Sequence, residues 1–172
     1  RSMPTSSGPV LLPLSAHSME RLRAYAASMA KFLRDHGASL SLHDVARTLQ
    51  RGREVMPERL CIIAHSLEAA ASTFGAFAEA TEGRGQGLPA GCFAGRVASS
   101  SARHASSVST EAADQEALEN CARSWVLGGT VAWEHVQPLV GSVRVPLPTY
   151  PFARDRHWYE PKSRAQGTSR AS

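Results

Sequence analysis

Reactive side chains in this sequence are few and far apart. The best nucleophile–base combination is Cys92 with His104, which would support acyl transfer or hydrolysis through a thiolate if a fold brought them together. His65-Ser66 is followed by Leu67 and Glu68. A nucleophile elbow needs glycines flanking its serine to make the sharp strand-to-helix turn, so Ser66 reads as a helix cap and His65 as a strand-end residue. His43 and Asp44 are neighbours at the start of a short helical pattern, where Asp44 serves the first turn and His43 faces solvent. Gly83, Gly85 and Gly87 lack the lysine of a phosphate loop, and Gly91 with Gly95 lacks dinucleotide-binding spacing. Cys92, His104 and Cys121 are too widely spaced for a zinc site. No catalytic residue, metal or cofactor is expected.

The elements that would carry these residues alternate. Residues 10–15 read as a short strand that Pro13 confines to an edge. Leu22, Tyr25, Ala26, Met29, Phe32 and Leu33 form a helical stripe, with Ser15 or Ser18 as N-cap and Gly37 as the stop. Ser41 and Asp44 have capping-box spacing for a second helix, buried through Leu42, Val45, Ala46 and Leu49 and ended by Gly52. The apolar run over 59–64 is the expected central strand. Ser66 caps a third helix with Leu67, Ala70, Phe74 and Phe77 or Ala78 inward. Residues 91–97 read as a third strand, 98–110 as a Ser- and Ala-rich loop, and 111–127 as a fourth helix. The last buries Ala117, Leu118, Cys121, Ala122 and Trp125 and stops at Gly128-Gly129. The expected class is α+β: a small, mainly antiparallel sheet of about three strands with helices packed on one side, plus an extended C-terminal strap. The expected divisions are a disordered tail over 1–9, the α/β unit over 10–143, the strap over 144–160 and a mobile tail over 161–172.

A chain of 172 residues with 42% hydrophobic content suffices for one domain. The net charge of +4 is spread along the chain, which excludes the clustered basic footprint of a nucleic-acid binder. Three unpaired cysteines, one inside the apolar run at Cys61, indicate reduced thiols and a cytoplasmic setting. No apolar stretch approaches the ~20 residues needed to cross a bilayer, and no secretory signal pattern is present. The start at Arg1, without an initiator methionine, suits a piece excised from a longer polypeptide.

Pro146, Pro148 and Pro151 forbid a helix or a central strand in the strap, so it must run extended. It nevertheless carries Leu147, Tyr150, Phe152, Trp158 and Tyr159 in a chain poor in aromatics. Such rings on a stiff ribbon suit docking on another surface, where each buried anchor contributes roughly 1.5–3 kcal/mol.

The strap, Pro146-Leu147-Pro148-Thr149-Tyr150-Pro151-Phe152-x-Arg154-x-Arg156-x-Trp158, closely resembles the segment after the acyltransferase position in modular polyketide synthases, with His157 where tyrosine is usual. Leu12-Pro13-Leu14-Ser15-Ala16 and Asp44-Val45-Ala46-x-Thr48-Leu49-Gln50-x-Gly52-Arg53 resemble the linker after the ketosynthase of the same enzymes. Trp125-Val126-x-Gly128 and Val131-x-Trp133 match the approach to the strap. Only about sixty residues, without an acyltransferase serine motif, separate Arg53 from the fourth helix. The resemblance is therefore to the flanking subdomain of a synthase whose acyltransferase is a separate protein.

That resemblance implies a non-catalytic scaffold packed on the ketosynthase of its own polypeptide. The implied anchors are Leu147, Tyr150, Phe152, Arg154, Arg156 and Trp158. A second surface, from Phe93, Arg96, Glu111 and Glu119, would face a trans-acting acyltransferase or an acyl carrier protein. The excised unit is expected to be a monomer, with no nucleic acid or membrane partner. The competing reading is a cryptic acyl-transfer or hydrolase domain using Cys92 and His104.

Overall fold

The computed structural model describes residues 8–51, 55–80, 88–97, 115–129, 131–133 and 144–148. The elements are β1 (Val10–Ala16), α1 (Met19–His36), α2 (Leu42–Gln50), β2 (Glu58–Ala64), α3 (Leu67–Glu79), β3 (Cys92–Arg96) and α4 (Gln115–Val126), with a 3-10 turn at Gly37–Ser39 between α1 and α2. The strands form one antiparallel sheet in the order β1-β2-β3. The α+β class and the central place of β2 are as expected.

One part of the expectation is corrected. Helices α1, α2 and α3 share a core with one face of the sheet, but α4 packs on the opposite face. The cause lies in β2. Alternate residues of a strand point to opposite faces, and Leu60-Cys61-Ile62-Ile63-Ala64 is apolar at every position and buried throughout. A run without polar alternation needs cover on both faces. Leu60, Ile62 and Ala64 join Val10, Leu12, Leu14 and Ala16 under α1, α2 and α3. Cys61, Ile63 and Leu11 join Leu118, Cys121, Ala122, Trp125 and Val126 under α4.

Pro13 sits in β1 opposite Cys61 and is buried. The register explains why it is tolerated. The Ile63 amide donates to Gly91 O at 2.9 Å, so Ile63 and the alternate residues Cys61 and Arg59 direct their backbone groups toward β3. Their partners on β1, namely Leu11, Pro13 and Ser15, are then the non-hydrogen-bonded pairs, with backbone groups turned to the outer edge. Proline's missing amide costs the ladder nothing there. The same edge is closed elsewhere by side chains: Gln50 Nε2 donates to Leu11 O at 2.9 Å, and Ser15 Oγ accepts from the Met56 amide at 3.0 Å. Edges closed in this way resist pairing with other chains.

Helix ends follow local chemistry with two departures. Ser18 Oγ accepts from the Arg21 amide and Ser66 Oγ from the Ala69 amide, both as N-caps. Ser41 occupies the N-cap of α2, but its exposed side chain makes no capping hydrogen bond, so the expected capping box is not formed from that side. Helix α1 does stop at Gly37, yet Gly37 keeps a right-handed conformation (φ −57°, ψ −29°) and leads into the 3-10 turn. The left-handed glycine stop is found instead after α4. There the Gly128 amide bonds Trp125 O and the Gly129 amide bonds Ser124 O, with Gly128 at φ +105°. This pairing of bonds is a Schellman motif. The expected Gly52 stop of α2 and residues 111–114 of the fourth helix lie outside the described residues; α2 ends at Gln50.

Candidate functional site

The strap's base is described from Arg144 to Pro148 and has no regular secondary structure. Val145 and Leu147 are half-buried against the α1–α3 core. The Val145 amide donates to Thr48 Oγ1 at 3.0 Å, and the same hydroxyl donates to Asp44 O at 2.8 Å. Thr48 is 5% exposed on the inner face of α2. A buried hydroxyl with both a donor and an acceptor role satisfied is a specific clip, because an unmet polar atom at that depth costs free energy. The strap therefore starts across α2. Of the six expected anchors, Leu147 lies on its own domain; Tyr150, Phe152, Arg154, Arg156 and Trp158 lie outside the described residues.

The expected second surface divides. Phe93 projects to the α4 face, where the Arg123 guanidinium lies 5.3 Å above its ring, and Arg123 also pairs with Glu119 at 3.5 Å one helical turn away. Phe93 and Glu119 are thus joined through Arg123, a residue the sequence reading passed over. Arg96 goes to the other face, where it reaches buried Glu58 at 3.5 Å. Strand alternation puts Phe93 and Arg96 on opposite sides. Glu111 lies outside the described residues.

Cys92 faces the main core at 7% exposure. Burial pushes its thiol up to about 12. At neutral pH it stays protonated, whereas thiolate chemistry needs the reverse shift. Its expected partner His104 lies outside the described residues. Burial also raises the Cys61 thiol far above the ordinary range. His65 is exposed beside the Ser66 cap. Among the described residues no group of three His, Cys, Asp or Glu side chains could hold a metal ion, and no helix is long and apolar enough to cross a membrane.

The polar centre of the α4 face is Arg59. Its Nη1 donates to Trp125 O at 2.9 Å, its Nε donates to Met56 O at 3.3 Å, and its guanidinium lies 5.2 Å from the centroid of the Trp125 ring. Trp133 meets Trp125 edge-on at 6.0 Å. Opposite Arg59 in the register stands Gly95, where a Cβ would lie 2.6 Å from Val126 O. Only glycine lets the last turn of α4 approach the sheet so closely. Periodicity in the sequence singles out neither Arg59 nor Thr48, although Thr48 lies within the motif that resembles the post-ketosynthase linker.

A family model described as "RhiE-like, KS-MAT linker domain" matches residues 13–81. Over those residues the chain matches the linker family of modular polyketide synthases. It is 34% identical over 160 residues to the polyketide synthase PksN of Bacillus subtilis, and 37% identical over 150 residues to PksL of the same organism. These alignments cover 88% and 86% of this chain but 3% of each relative. The linker is thus a small part of those long synthases. A solved ketosynthase from module 6 of the bacillaene synthase of Bacillus subtilis 168 superposes with a TM-score of 0.66 at 26% identity, over 88% of this chain and 27% of that one.

Proposed function

We propose that this linker is a non-catalytic scaffold of a trans-acyltransferase polyketide synthase in the cytoplasm. It packs beside the ketosynthase of its own polypeptide and fastens to it through the strap. The observation that carries this reading is the strap's base. Thr48 holds the Val145 amide, Val145 and Leu147 pack on the main core, and the sequence that follows carries Tyr150, Phe152 and Trp158 among prolines. The likeness to a region of a ketosynthase chain supports the choice of partner. In this reading Arg154 and Arg156 pair with carboxylates or carbonyls of the ketosynthase. The Phe93–Arg123–Glu119 cluster, on the face opposite Arg96, presents a surface to a separately supplied acyltransferase or to an acyl carrier protein.

Calorimetric titration of the chain against a ketosynthase domain from the same synthase tests the anchors. Replacing Tyr150, Phe152 and Trp158 together by alanine should weaken association more than about tenfold and leave the melting temperature of the linker in place. Equal binding by the triple variant would refute the anchoring role. The competing acyl-transfer reading predicts rapid, selective labelling of Cys92 by a thiol-reactive acyl analogue; the burial of that thiol argues for slow labelling.

A further inference from the structure

We propose that α4, together with Val131 and Trp133, is a separately opening layer latched to the sheet by Arg59, and that its release bares Cys61 while the α1–α3 core stays closed. The core is divided by the sheet into two clusters with no residue in common. The cluster under α4 is the smaller, and α4 packs chiefly on β2 and β3. A layer with few buried apolar partners opens at lower free energy than the rest of a domain.

Leu118, Cys121 and Ala122 pack along the length of the helix, and its polar and close backbone contacts with Arg59 and Gly95 gather at its C-terminal end. Arg59 joins the β2 side to the last turn of α4 through Trp125 O and the Trp125 ring. Val126 rests on Gly95, and Gly128 packs against Val97. Partial burial depresses the Arg59 pKa, which marks a cation held away from bulk water. Its charge-assisted bond to Trp125 O is a polar fastening between the layers.

The three cysteines are placed to report on this. Cys61 and Cys121, both fully buried, lie in the cluster under α4, and Cys92 lies in the main core. A buried thiol reacts with an aromatic disulfide reagent only on opening. The full chain is exposed to that reagent over a urea series, and each cysteine is followed by peptide mass spectrometry. Cys61 and Cys121 should react together, faster than Cys92, with a shallower urea dependence, because a partial opening exposes less surface than global unfolding. Arg59→Met and Gly95→Ala should each raise the Cys61 and Cys121 rates about tenfold and leave the Cys92 rate unchanged. Three cysteines reacting at one rate with one steep urea dependence in the parent chain would overturn the proposal, whether or not the variants fold. So would variants that accelerate all three equally.

Discussion

Thr48 and Cys92 show how single residues in this linker are fixed by depth. Thr48 Oγ1 sits between Asp44 O and the Val145 amide, so removing the hydroxyl takes the partner from a half-buried backbone donor. Thr48→Val should lower stability by about 1–2 kcal/mol, measured by urea denaturation, and should raise hydrogen exchange at Val145 selectively. Unchanged exchange at Val145 would mean that the clip does not hold the strap. Cys92 carries a pH dependence. Its folded pKa is raised to about 12 from a reference of 9.0, so the folded state keeps a proton that the unfolded state releases. The contribution is complete below pH 9 and is lost as pH rises toward 12, at roughly 1.4 kcal/mol per pH unit within that window. Cys61 adds to the loss in the same direction. The melting temperature should therefore fall more steeply above pH 9 in the parent than in Cys92→Ala. Parallel pH profiles would count against this.

At the scale of elements, much was legible in the sequence, and the failures have physical causes. The α1 and α3 stripes repeat at helical spacing over several turns, and both serine caps are where local chemistry requires them. Pro13 marked β1 as an edge, and the register shows it turned outward on that edge. The position of α4 was misjudged because periodicity tells which residues of a helix are buried but not against which face of a sheet. The signal was nonetheless present: Leu60 to Ala64 lacks the alternation of a half-solvated strand. The Ser41 half of the capping box is not formed, because an exposed serine hydroxyl is served as well by water. The glycines after α4 were read correctly as a stop, and the structure adds the mechanism. Gly128 at φ +105° lies in a region where a Cβ is strained. Gly128→Ala should destabilise the chain by about 1–2 kcal/mol in thermal or urea unfolding. An unaffected midpoint would show that the turn is dispensable.

At the scale of the whole molecule, the linker is a sheet covered on both faces, with its strap starting on one of them. The strap's composition could be read directly, since three prolines and several rings exclude regular structure and invite docking. Where the strap attaches to its own domain could not be read. That attachment depends on a tertiary hydrogen bond between Thr48 and Val145, which are far apart in sequence. The domain thereby supplies a rigid origin for the ribbon, and the proposed function depends on that origin. The most direct test compares the affinity of a ketosynthase domain from the same synthase for the full chain and for a chain ending at Pro148, which keeps Val145, Leu147 and the Thr48 clip. The shortened chain should melt at the same temperature and lose its association with the ketosynthase; a shortened chain bound as tightly as the full one would contradict anchoring by the strap.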